Sequence, residues 1–388
     1  MNKEALIKKL TDESVDLLKE MIAIPSPSFE EDEVCGHICA WLAARGIRHE
    51  RIGNNIIAEH IVNPEAHTLM MCAHIDTVSP SPEYSFDPYN PDYQIAAAAI
   101  SEASGKECGP EDIAAGLGSN DDGASAVSMT AAFRYFTDPS VITDQDIKSP
   151  NLILVLTCEE ERSGKNGMTG LWGTRICSRA ESLEGCTAVD MAIVGEPTGM
   201  KGATSERGLL VIDATAHGVS GHAARNEGCN ALYKAVEDIE RLRNHTFGKI
   251  SPRMGKVNLN VTQINAGTAH NVIPDRCSFV IDIRPTEQYS NEEIFKELQT
   301  ICESELKPRN LANRSSATFE DSPLQRRAES LGIETFSSPT TSDWMRISCD
   351  AIKMGPGLSE RSHRKNEFVF VDEIRKGIEG YIEFINQL

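Results

Sequence analysis

The chain of 388 residues is short of basic residues, has no Cys-x-x-Cys pair and contains no long apolar run. Its 38 Lys and Arg face 58 Asp and Glu, giving a formal net charge of −20. Nucleic acid and anionic membrane are therefore excluded as partners, because neutralising phosphate takes basic patches. The acidic balance favours solubility instead, and steers cationic substrates only mildly. No segment has the length of a bilayer span. The 11 cysteines are odd in number and scattered, which points to reduced thiols and not to a disulfide framework. Residues 1–10 read as an amphipathic helix without the apolar core and cleavage site of a signal peptide. A cytoplasmic location is expected. Repeats, coiled coils and low-complexity tails are absent as well. What is there is ordinary for a globular enzyme, with 40% hydrophobic and 25% charged residues. The length predicts two domains, or one domain interrupted by an insertion.

Helical periodicity runs over 3–22 and stops at Pro25 and Pro27. A second helix is expected over 31–45, ended by Gly46. Strands are expected over 55–61, 68–74, 151–158 and 191–194. The last three are almost wholly apolar, the pattern of strands buried on both faces. With a helix over 123–136 between them, the alternation predicts an α/β fold with a largely parallel or mixed sheet. Beyond Pro197 the spacing changes to strand 209–216, helix 230–243, strands 256–264 and 275–284, helix 291–303 and a last strand over 314–319. That β-α-β-β-α-β order is ferredoxin-like. Helices over 322–331 and 371–388 then return to the first domain. The division expected is a catalytic domain of 1–200 and 318–388 around an inserted domain of 201–317. The stretch 94–115, with Ala96–Ala99, has no clear assignment.

Five short segments carry chemistry. The run Met71-Cys72-Ala73-His74-Ile75-Asp76 ends a strand on a histidine and, two positions on, an aspartate. Residues i and i+2 of an extended segment point the same way, so Asp76 is placed to orient a metal-binding His74. Gly116-Leu117-Gly118-Ser119-Asn120-Asp121-Asp122-Gly123 is an acidic turn ahead of a helix. Glu159-Glu160-Glu161 directly follows an apolar strand, at the sheet edge where open α/β folds gather ligands. Glu196 follows another such strand in Gly195-Glu196-Pro197, and His363 comes soon after Gly355-Pro356-Gly357. Two divalent ions need one shared carboxylate and two further ligands each. Two histidines and three acids meet that count. Imidazole and carboxylate without thiolate suit Zn2+, with Co2+ or Mn2+ possible. An unligated carboxylate is needed besides, to take a proton from water; the adjacent Glu159 and Glu160 offer one of each role.

The succession His74-x-Asp76, Gly-x-Gly-x-x-Asp121, Glu159-Glu160, Gly195-Glu196-Pro197 and a late His363 after Gly-Pro-Gly resembles one metallohydrolase family over essentially the whole chain. That family contains acetylornithine deacetylase, succinyl-diaminopimelate desuccinylase, aminoacylase and glutamate carboxypeptidase. The resemblance implies that His74 and Glu196 bind one ion, that Glu160 and His363 bind the other, and that Asp121 bridges both. It makes Glu159 the general base and Asp76 the residue that orients His74. It implies a homodimer through the inserted domain, with His222 of Ser220-Gly221-His222-Ala223-Ala224 reaching the partner's site to bind the carbonyl oxygen. Asn271 and Arg284 correspond to residues that bind the substrate carboxylate. The activity implied is hydrolysis of an N-acyl amino acid, with acetylornithine deacetylation in arginine synthesis the nearest in texture. Desuccinylation of N-succinyl-ornithine or N-succinyl-diaminopimelate and exopeptidase action are the alternatives. Departures fall at Leu117, at Asp122-Gly123 and along 94–115, and none touches an implied ligand.

Overall fold

The apolar segments come together as the centre of a mixed sheet. The computed structural model describes residues 3–138, 151–181, 183–225, 227–386 and 388. Thr68–His74 lies between Asn151–Thr157 and Met191–Val194, parallel to both, and Asp350–Lys353 runs parallel beyond Met191–Val194. Asn55–His60 pairs antiparallel on the outer side of Asn151–Thr157. Every residue of these four parallel strands is buried, because helices cover the sheet and leave no wet face for polar alternation. The helices Lys3–Ile22, Ala124–Thr137 and Val371–Ile385 supply the larger core, with Leu10, Leu18, Phe133, Tyr381 and Phe384 fully or almost fully buried. The strand Asp350–Lys353 is too short and too charged at its ends to be legible in the sequence. All four strands end on one edge. His74, the 159–161 glutamates, Glu196 and the loop to His363 are therefore delivered to the same place by topology.

The unassigned stretch contains a helix, Tyr93–Ser104, capped by the Asp92 side chain and closed by Gly105 at φ 69°. Its apolar face packs Ala96, Ala97 and Ile100 against Phe86, Ile113, Phe368 and Phe370. Ile113–Ala115 pairs antiparallel with Phe368–Phe370.

Two compact units divide the chain: Met1–Thr204 with Thr318–Phe336 and Ser342–Leu388, and Ser205–Ala317 with Ser337–Thr341. In the second unit, Leu210–His217, Asn258–Ala266, Arg276–Arg284 and Glu305–Pro308 form an antiparallel sheet in which Arg276–Arg284 separates the first two. Two helices, Ala231–Asn244 and Asn291–Ile301, complete its core through Ala235, Leu242, Ile294 and Leu298. This is the ferredoxin-like order, with one correction. The fourth strand is Glu305–Pro308, pairing Leu306 opposite Ala214; of the 314–319 segment only Ser316–Ala317 is strand, and it pairs with Ser205 and Glu206.

Candidate metal centre

His74 is the last residue of its strand and is buried. Its Nδ1 lies 3.0 Å from the Asp76 carbonyl oxygen and 3.4 Å from Asp76 Oδ1. Both neighbours are acceptors, so Nδ1 carries a proton and Nε2 is the nitrogen that could offer its lone pair to a cation. Nε2 faces Asp121 Oδ1 at 3.2 Å. The other oxygen of Asp121, Oδ2, lies 3.6 Å from His363 Nε2, so the carboxylate looks toward one histidine with each oxygen. The turn that presents it is tight: Gly118 has φ 77°, and a Cβ there would meet Thr77 Cγ2 at 2.6 Å. The Asp121–Asp122 peptide is cis.

The acidic run after the strand is where expectation and structure part. Glu159 is left-handed, at φ 59°, and the reversal turns its side chain away from the cluster. Its Oε1 accepts from Asn166 Nδ2 at 2.6 Å and its Oε2 from the Asn166 N–H at 3.0 Å. Glu159, expected as the base, stands outside both metal-competent groups. Those groups are His74, Glu160 and Glu196, and His74, Asp121 and Glu161, with ligand atoms within 4.8 Å of one another in each. Glu161, which had no role, also meets His363 Nε2 through Oε1 at 2.8 Å. Of the expected pair, Glu160 faces the cluster and Glu159 faces Asn166, while Glu161 joins the cluster. Three successive glutamates contain two adjacent pairs, and only the backbone turn at Glu159 chooses between them. Asp76 holds that choice in place, accepting the N–H groups of Glu160 and Glu161 at 3.0 and 3.2 Å and the Ser28 hydroxyl at 2.7 Å.

Burial raises the Glu160 carboxyl well above the ordinary range, and the negative charges of Glu196, Asp343 and Glu161 add to it against His74. Glu196 is raised as well, by burial and then by Asp121, with Lys353 opposing. Asp122 is pushed up to about 8 by burial. His363 is raised to about 9, chiefly by its bond to Glu161. Burial opposes charge on His74, yet Asp121 and Asp76 bring its pKa well above the usual value. So many buried carboxylates crowded against two imidazoles are an unfavourable arrangement for the protein alone. Divalent cations within this cluster would remove that repulsion, and the donor set of imidazole and carboxylate fits Zn2+, Co2+ or Mn2+.

The inserted unit brings His222 and Asn271 together. Gly221–His222 pairs with Val272–Ile273, and the Ala223 N–H donates to the Asn271 carbonyl at 3.0 Å. The His222 ring is exposed, with Nδ1 accepting from the Ala224 N–H at 3.2 Å. Arg284 is not a free clamp: its Nε and Nη2 donate to the two oxygens of Asp282 at 2.9 and 3.1 Å. The fork expected for a substrate carboxylate is filled by a carboxylate two residues back on its own strand.

Residues 204–310 match the family model described as Peptidase dimerisation domain, and residues 55–226 match that of Peptidase family M28. The chain is similar to the succinyl-diaminopimelate desuccinylase of Corynebacterium glutamicum, 27% identical over 69% of this chain and 64% of the relative. It is also similar to the acetylornithine deacetylase of Myxococcus xanthus, 27% identical over 61% of this chain and 64% of the relative. Each alignment thus spans less than two thirds of the relative's length. The structure of aminopeptidase PepT from Bacillus cereus shares the fold, with a TM-score of 0.71 at 17% identity over 97% of this chain and 98% of that one. Fold, cluster and relatives all resemble those of metal-dependent peptidases and deacylases. The chain is thus similar to the metallo-amidohydrolases that include the desuccinylases and deacetylases.

Proposed function

We propose that this protein hydrolyses the amide bond of an N-acyl amino acid at a centre of two divalent ions. The observation that carries the reading is Asp121, whose two oxygens face His74 and His363 respectively. His74 and Glu196 would hold one ion, Glu161 and His363 the other, and Asp121 both. Bound there, the ions supply Lewis acidity that makes a water more acidic and polarises the scissile carbonyl. Glu160 is left as the base. Its raised pKa suits a group that must take a proton from water and release it again. The water oxygen bonds to the carbonyl carbon while Glu160 receives the proton. The C–N bond then breaks as Glu160 returns the proton to nitrogen, giving a carboxylate and an amine. Asp76 keeps the His74 ring in its tautomer throughout.

The inserted unit is read as a dimerisation lid that carries His222, the donor to the carbonyl oxygen, into the partner's site. Exposed Tyr233 and Val236 on the helix Ala231–Asn244, with Ile264 on the open edge strand Asn258–Ala266, give a homodimer an apolar face to cover. Asn271 is read as a substrate contact, and Arg284 as one only once Asp282 yields its place. All eleven cysteines are unpaired, and no helix among the described residues is long and apolar enough to cross a membrane. Both features agree with work in the cytoplasm.

N-acetyl-ornithine, as in arginine synthesis, is the substrate first proposed. A second reading is favoured by the basic loop around His363. Arg361 is engaged by Glu373 and Lys365 by Glu83, whereas Arg364 makes no ion pair among the described residues. A free guanidinium beside a metal ligand suits the distal carboxylate of a succinyl group. Steady-state assays on N-acetyl-ornithine, N-succinyl-ornithine, N-succinyl-diaminopimelate and a dipeptide panel decide between these. Turnover of none, by protein holding two ions per chain, would overturn the proposal.

A further inference from the structure

Glu367 has no ligand role in this reading, yet it is 2% exposed, and one of its oxygens is committed to the turn that bears Asp121. Its Oε1 accepts the N–H of Asn120 and the N–H of Asp121, each at 2.9 Å. Its own carbonyl accepts the Gly116 N–H at 2.9 Å. The turn grips back: Asn120 Nδ2 donates to the Leu358 carbonyl at 3.1 Å, and Asn120 Oδ1 accepts the Leu358 N–H at 2.9 Å. Glu367 stands four residues after His363. The loop of one histidine and the turn of the bridging acid are therefore tied from both sides. Such a tie is needed, because His363 and Asn366 are left-handed at φ 58° and 57°, and non-glycine backbone persists there only when its surroundings impose it.

A carboxylate buried this deeply is costly unless its lone pairs are used. Glu367 uses them on amides next to a metal ligand. We infer that Glu367 is a positioning residue: by accepting the amides of Asn120 and Asp121 it holds the Asp121 carboxylate between His74 and His363, touching neither ion nor substrate. The inference rests on the two-ion reading above. It also explains an otherwise unused buried acid within an acidic cluster.

The test is metal uptake by the full-length protein, independent of turnover. Metal-free wild type, Glu367→Ala, Glu367→Gln and Glu367→Asp are titrated with Co2+, followed by the visible absorption of the bound ion and by elemental analysis, with thermal unfolding of each metal-free form. Glu367→Ala should unfold cooperatively but bind Co2+ about 10–100-fold more weakly, the usual effect of removing a group that orients a ligand. Glu367→Gln keeps one oxygen able to accept both amides and should retain most of the affinity. Glu367→Asp, one methylene shorter, should not. Wild-type affinity and spectrum in Glu367→Ala would overturn the inference. If that variant does not fold, the order of the other two decides: Gln above Asp supports it, and Asp equal to wild type or above Gln overturns it. Wild type that takes up no Co2+ would strike the two-ion reading itself, and is recognised separately by that result.

Discussion

Replacing Glu160 with glutamine removes a proton acceptor from the centre of the cluster and changes little else in shape. A positioned base contributes about 10²–10⁴ in rate, equivalent to about 3–5 kcal/mol of barrier. Glu160→Gln should therefore lower kcat by at least about a hundredfold while the protein still holds two ions, because His74, Asp121, Glu161, Glu196 and His363 are untouched. Glu159→Gln should act on another quantity. Its two oxygens serve Asn166, at 2.6 and 3.0 Å, and an amide can supply only one acceptor to that pair. One donor of the exposed Asn166 then faces an NH2 group, at a cost in stability below the about 1–3 kcal/mol of a buried donor. The turnover of the folded protein should stay near wild type. Steady-state kinetics, metal analysis and denaturant unfolding on both variants separate the two effects. A hundredfold loss of kcat in Glu159→Gln at unchanged stability, with Glu160→Gln close to wild type, would refute the frame read from the structure.

Glu161→Gln should lower metal occupancy, as should Asp121→Asn, and the latter should lower it most because it weakens both positions; equal two-ion content in elemental analysis of Asp121→Asn would remove its bridging role. In metal-free protein the bond to Glu161 holds His363 near a pKa of about 9, and Glu161→Gln should bring it down toward the ordinary value of about 6.5, as read by NMR titration. Because that folded pKa is raised, the stability it brings is fully present below about pH 6.5 and fades as the pH rises through about 9. Mixed chains of His222→Ala and Glu160→Gln should recover about a quarter of wild-type sites if His222 acts across the dimer and subunits exchange. No recovery after exchange verified by mass would place His222 in its own subunit's site or outside the chemistry.

One-dimensional signals carried much of this protein. Unbroken apolar runs marked Thr68–His74, Asn151–Thr157 and Met191–Val194 as buried strands, since only a doubly covered strand dispenses with alternation. The apolar spacing of Lys3–Ile22 and its prolines marked the first helix. His74, Asp121, Glu196 and His363 could be marked in sequence as candidate ligands because each follows a strand or a glycine turn, and parallel strands must end on one edge. Tertiary structure alone decided the rest. Whether Glu159 or Glu161 joins Glu160 depended on one left-handed residue, a backbone state that a glutamate does not advertise. The strand Asp350–Lys353 has too few residues for a period, and is strand because Met191–Val194 offers it an edge. The segment 314–319 yielded its place in the smaller sheet to Glu305–Pro308, which Leu210–His217 accepts as a partner. Arg284 reads in sequence as a free cation, and its pairing with Asp282 exists only once the strand is formed. Local spacing names the residues that can carry the chemistry; long-range packing selects which of them face one another.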